Sequence, residues 1–147
     1  MRVLGLVLAI VLLAPASAAA QSAADSAAIR ATVTDYIQGW YEADAPRMER
    51  SLHPNLAKRI IVGDPRTGKD QLDNLTAAAL VQDTGSGTRT EVANQRKDIT
   101  ILDIFQNIAS VKLVASGWVD YMHLGKVDGR WVIVNVMWDE MRIQRRS

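Results

Sequence analysis

The feature that most constrains this chain is the dipeptide Asp128-Gly129, set between Lys126-Val127 and Arg130-Trp131. Two residues of this type between runs of β-forming side chains predict a tight hairpin, because both central positions must take positive φ. A two-residue turn also fixes register, and register assigns each side chain to a face. With Val127 opposite Arg130, the expected facing pairs are Lys126 with Trp131, Leu124 with Ile133, Met122 with Asn135 and Asp120 with Met137. The opposite face then carries Gly125, Val132, His123, Val134, Tyr121, Val136, Val119 and Trp138. Both faces are largely apolar, so helices are expected on one side and other protein on the other. A second copy of the chain is the simplest cover, which predicts a homodimer packed sheet to sheet.

Upstream, apolar positions recur at helical spacing. Ile29, Val33, Tyr36, Ile37 and Trp40 form one stripe of a helix expected over 25–43. Asp44 followed by Pro46 suits the start of a second helix, with Met48 and Leu52 facing inward and Pro54 ending it. Residues 57–62 read as a short strand, followed by a turn-rich stretch from Gly63 to Gly68. Thr67 and Asp70 then have capping-box spacing, predicting a third helix lined by Leu72, Leu75, Ala79 and Leu80. Strands are expected from Ile99 to Phe105, from Ala109 to Val127, and from Arg130 to Met141. Polar parity around Ser110 and Lys112 conflicts with that near Trp118, so a bulge or sharp bend is expected between Ala115 and Gly117. The fold class is therefore α+β. A curved antiparallel sheet packs against three N-terminal helices to form a cone with an apolar pocket.

The first twenty residues read as an export signal rather than fold. Arg2 precedes the apolar run from Val3 to Leu13, and small residues follow through Ala20. Cleavage is expected after Ala20, with Ala18 the next choice, leaving residues 21–147 as one domain in the periplasm or outside the cell. The apolar run is too short for a permanent membrane span. Losing the leader removes Arg2 alone and leaves basic and acidic side chains in balance, which gives no reason to expect nucleic acid. The chain has no cysteine and only His53 and His123 as imidazoles, so thiol chemistry is excluded, and neither a protein-held metal nor a cofactor is implied.

Asp120 is the leading site candidate. A carboxyl among Met122, Leu124, Trp131, Ile133 and Met137 would be poorly solvated, which favours its protonated, hydrogen-donating form. The bland alternative is an aspartate that bonds backbone amides or Asn135. Tyr36, one turn from Trp40, either aims its hydroxyl into the pocket or packs in the core. Asp64, before Pro65, is either a rim carboxylate or a turn former. His123 falls on the face opposite Asp120, so those two should not form a dyad. The expected ligand contacts are Tyr36, Trp40, Trp118, Asp120, Met122, Trp131 and Asn135, around a small apolar or planar molecule.

The stretch from Val119 through Asp128-Gly129 to Trp138 resembles the "Putative lumazine-binding" family, within the nuclear transport factor two-like superfamily. Tyr36-Ile37-Gln38-Gly39-Trp40-Tyr41-Glu42-Ala43-Asp44, then Leu52-His53-Pro54, is similar to that family's first two helices. The resemblance spans nearly all of residues 21–147 and implies the cone fold and a dimer. A weaker similarity to ketosteroid isomerases implies a catalytic set of Tyr36, Asp64 and Asp120. Asp64 would move a proton beside a carbonyl, while Tyr36 and neutral Asp120 would hold the enolate oxygen. Three functions follow as candidates: an exported small-molecule binder without catalysis, a ketosteroid-isomerase-like or cyclase-like enzyme, or a dimeric protein-interaction module.

Overall fold

The structure, a computed structural model, describes residues 18–141, with side chains from Ser22 onward; the expected leader and its expected cleavage point lie outside the described side chains. Ala18–Glu42 forms helix α1, whose expected stripe is buried at Ile29, Val33, Tyr36 and Ile37 but leaves Trp40 at its end exposed. The helix ends where Ala43 takes φ 55° and the Asp44 amide bonds the Gly39 carbonyl at 2.9 Å. Ala45–Ser51 forms α2, with Asp44 accepting the Arg47 amide at 2.9 Å and proline in the first turn. Arg47 and Arg50 of α2 both reach back to Asp35 of α1, locking the two helices as a pair. No helix among the described residues is long and apolar enough to cross a membrane.

Leu52–Gly63 is strand β1 and Asp70–Thr76 is strand β2. They pair antiparallel, Gly63 opposite Asp70 and Ala57 opposite Thr76. This corrects the expected third helix, which begins only at Ala77 (α3, Ala77–Ser86), capped by Thr76 rather than by a Thr67–Asp70 box. The Leu72–Leu75 spacing mimics a helical step, yet Leu72 is exposed and Leu75 half-buried on the strand. The turn between Asp64 and Lys69 explains the outcome. Asp64 and Lys69 share a backbone bond of 2.9 Å, and Gly68 supplies φ 68°, so the chain folds back onto β1 before it can start a helix.

Strands β3 (Lys97–Phe105), β4 (Ile108–Ala115), β5 (Trp118–Val127) and β6 (Arg130–Glu140) complete a sheet of order β2-β1-β6-β5-β4-β3. All pairs are antiparallel except β1 with β6, so the sheet is mixed. The long strand expected over 109–127 is two strands. The parity conflict is resolved by complete reversal at Ser116-Gly117, where Gly117 adopts φ 109°, and not by a bulge within one strand.

At the β5–β6 hairpin, Asp128 and Gly129 take φ 49° and 78°, and Val127 faces Arg130 as expected. Register holds through Leu124 opposite Ile133. A bulge then leaves Val134 unpaired, so His123 faces Asn135, Met122 faces Val136 and Asp120 faces Trp138. Beyond this point every expected β6 assignment inverts. Val136 and Trp138 point to the helices, while Asn135 and Met137 point away. The core lies between α1, α2 and α3 and the concave face, built from Leu113, Met122, Leu124, Ile133 and Val136 against the α1 stripe.

Candidate functional site

The end of the cone between α1, α3, β1, β2, β5 and β6 holds a cavity of about 370 Å³. Tyr36, Lys58, Leu75, Leu80 and three tryptophans, Trp40, Trp118 and Trp138, supply its walls, with Asp83 and Glu140 also on its lining. Burial gives it a direction. Tyr36, Lys58 and Leu80 are buried at the floor, whereas Trp40, Asp83 and Glu140 are exposed at the mouth.

Asp120 lies directly behind that floor and is fully excluded from solvent. Its Oδ1 accepts from Lys58 Nζ at 2.6 Å and its Oδ2 from the Trp118 indole N–H at 2.9 Å. Lys58 Nζ also donates to Tyr36 Oη at 2.9 Å and stands over the Trp138 ring, 4.7 Å from its centroid. The sequence reading placed Asp120 correctly in an apolar interior but missed its partner. Both Asp120 contacts are donors, an arrangement that a carboxylate satisfies as an acceptor. The neutral, donating acid expected from desolvation is not what this geometry calls for.

Burial sets the electrostatics of the other two groups. Desolvation pulls the Lys58 ammonium below its ordinary 10.5, and the negative charge of Asp120 opposes that pull. Desolvation, reinforced by Asp120, pushes the Tyr36 phenol well above 10. Tyr36 therefore keeps its proton at neutral pH.

Of the expected contacts, Tyr36, Trp40 and Trp118 line the cavity and Asp120 supports it from behind. Met122 is buried in the core, and Trp131 is buried with its N–H on Asp25 at 3.0 Å. Asn135 lies on the convex face, accepting from Arg59 at 2.8 Å and meeting His123 Nδ1 at 3.2 Å. The bulge at Val134 is the reason, since it turns Asn135 outward and Trp138 inward. His53 accepts the Asn55 amide through Nδ1 at 3.1 Å, away from the cavity lining.

Asp64 occupies the tip of the β1–β2 hairpin. Its carboxylate accepts the Arg66 amide at 2.8 Å, and that bond holds it below the usual 3.8. Lys58 and Asp64 are separated by extended chain, roughly 20 Å at about 3.3 Å per residue. Tyr36 and Asp120 thus meet at Lys58, and Asp64 does not join them. Lys58 escaped the sequence reading because a lysine in an alternating strand reads as a solvent-facing position. The signal that could have found it is parity, since Leu56, Lys58 and Ile60 share one face of β1. No group of three or more potential metal ligands occurs among the described residues.

Residues 24–139 match the profile described as "Putative lumazine-binding". No curated protein matches the chain. Among solved structures, an NTF2-like protein of unknown function from Silicibacter pomeroyi superposes with a TM-score of 0.66 at 17% identity, covering 82% of this chain and 98% of that one. A second NTF2-like protein of unknown function, from Methylobacillus flagellatus, gives 0.66 at 22% identity over 81% and 94%. A ketosteroid isomerase-like protein from Erwinia carotovora gives 0.52 at 14% identity over 80% and 96%. These likenesses establish the NTF2-like fold. The family match spans most of the sequence, the cavity-lining strands and helices included, and the chain belongs to the Putative lumazine-binding family.

Proposed function

We propose that this protein is an exported binder of a small, flat, largely apolar molecule, held in the tryptophan-walled cavity. The observation that carries this reading is the pairing of about 370 Å³ of mainly apolar space with one buried donor cluster, Lys58 and Tyr36, at its floor. Ligand sites have this character, with broad apolar walls and a few polar groups that fix orientation. Indole faces suit a planar body, and the Lys58 ammonium suits an acceptor oxygen on it. Proton transfer beside a carbonyl finds less support, because Asp64 lies far along the hairpin from Tyr36 and Asp120.

The test is a tryptophan-fluorescence titration with lumazine and with 2-naphthamide, in the wild type and in Leu80→Trp, which fills the cavity with side chain. Saturable quenching in the wild type that disappears in Leu80→Trp is expected. Absence of saturation with both probes, or binding indifferent to Leu80→Trp, overturns the reading.

The convex face supports a second part of this proposal, that two copies pair through their sheets. The helices pack on the concave face, yet Phe105, Ile108, Tyr121 and Met137 are exposed. Phe105 and Ile108 border an apolar depression completed by His123 and Val134. A patch of this kind marks an association surface, and an exposed sheet face is flat enough to meet its own copy.

A further inference from the structure

We propose that the ligand is bipolar, an aromatic molecule with an uncharged acceptor oxygen at its buried end and a cationic amine at the end facing solvent. This rests on the binding reading above and adds the charge pattern of the ligand to it. At the floor, Lys58 and Asp120 neutralise each other at 2.6 Å, so the cavity offers donors there without net positive charge. Two of the three ammonium hydrogens are used, on Asp120 Oδ1 and Tyr36 Oη. The third is free to meet a carbonyl, since Lys58 lines the cavity.

The mouth has the opposite character. Asp83, near the end of α3, and Glu140, at the end of β6, carry side chains that form no ion pair among the described residues. Trp40, which is partly exposed, and Trp118, whose ring meets that of Trp40 edge to face at 6.4 Å, line the same cavity as the two carboxylates. Glu140 is the cross-strand partner of Trp118 between β5 and β6, and both side chains line the cavity. Indole and carboxylate together suit an ammonium group, through the ring quadrupole and direct charge attraction. An anionic ligand gains no net attraction at the neutral floor and meets repulsion at the mouth. The same logic keeps a cation out of the deep end, where Lys58 already stands over Trp138.

The test compares three naphthalenes by titration calorimetry at low and high salt. They are 6-(aminomethyl)-2-naphthamide, its neutral hydroxymethyl isostere, and 6-carboxy-2-naphthamide. At low salt the cation should bind roughly tenfold tighter than the isostere, and the acid weaker than both. The cation's advantage should shrink at high salt and vanish in Asp83→Asn/Glu140→Gln, whose folding is checked by thermal unfolding. Equal binding of cation and isostere overturns the bipolar assignment while leaving the planar binder standing, as does a cation preference that survives the double substitution. No binding of any of the three overturns the bipolar assignment, and removes the planar binder as well where lumazine and 2-naphthamide also fail to saturate.

Discussion

Lys58 Nζ lies 2.6 Å from Asp120 Oδ1, and both side chains are withdrawn from water, with 8% and 0% of their surface exposed. Removing one member of a buried pair strands the other as an uncompensated charge. Asp120→Leu or Lys58→Met should each cost about 3–5 kcal/mol in urea denaturation. The double variant Lys58→Met/Asp120→Leu should recover much of that, because it removes both desolvation penalties together. Single losses that simply add in the double variant would show that the pair is not coupled.

Tyr36 gives the cluster an alkaline signature. Its pKa is raised above the unfolded value of 10, with burial the leading cause and the Asp120 charge the next. Above pH 10 the unfolded chain releases the phenol proton while the folded chain retains it. The folded state then binds more protons, and stability falls as pH rises. Lys58 works in the opposite direction at lower pH. Its pKa is depressed below 10.5, so stability rises with pH through the window between its folded value and 10.5. Tyr36→Phe should therefore flatten the decline above pH 10 in stability measured by denaturant titration. A slope there identical to wild type would mean that the phenol is not held neutral by the fold.

Most of the architecture was legible because hydrophobic periodicity and the Asp128-Gly129 turn are local signals that tertiary contacts did not override. The first helix stripe, the Asp44 cap and the register from Val127 to Leu124 all follow from side chains within one or two turns of each other. The failures have different causes. The Asp70–Thr76 segment carries no strand signature of its own and is a strand because β1 offers it an edge, a contact distant in the sequence. One unpaired residue at Val134 inverted the assignment of β6, which moved Asn135 out of the site and Trp138 into it. A period of two amplifies a single-residue slip into a complete exchange of faces. Lys58 was hidden for a related reason: the residue type suggests solvent, while its strand parity and a partner 62 positions away place it inside.

Gly39 tests how closely the first two helices pack. A Cβ at this position would stand 2.8 Å from the Met48 amide nitrogen and 3.2 Å from its Cα. Both obstacles are backbone, so α2 must move as a unit to admit a methyl group. Alanine would gain about 1 kcal/mol of helix propensity over glycine, against an overpacking cost of about 1–3 kcal/mol. Gly39→Ala should consequently be destabilised by about 1 kcal/mol, with a lower thermal midpoint. A stabilised variant would mean that α2 yields freely and that the Asp35 clamp with Arg47 and Arg50 tolerates the shift.

The convex face carries the remaining prediction. Tyr121 is 50% exposed and Ile108 60% exposed, on adjacent strands of a face that no helix covers among the described residues. If two sheets meet there, these side chains are buried in the dimer, and a carboxylate in their place must be desolvated against an apolar partner. The wild-type chain should sediment as a dimer, and Tyr121→Glu/Ile108→Asp as a monomer, because two-fold symmetry places each substitution in the contact twice. Cavity binding separates loss of assembly from loss of fold, since the cavity opens on the concave side of the same sheet. A monomeric double variant that still quenches with 2-naphthamide would place the contact on the convex face. A wild-type monomer at micromolar concentration, or a double variant that remains a dimer, would instead leave that apolar surface to a different partner or move the contact elsewhere.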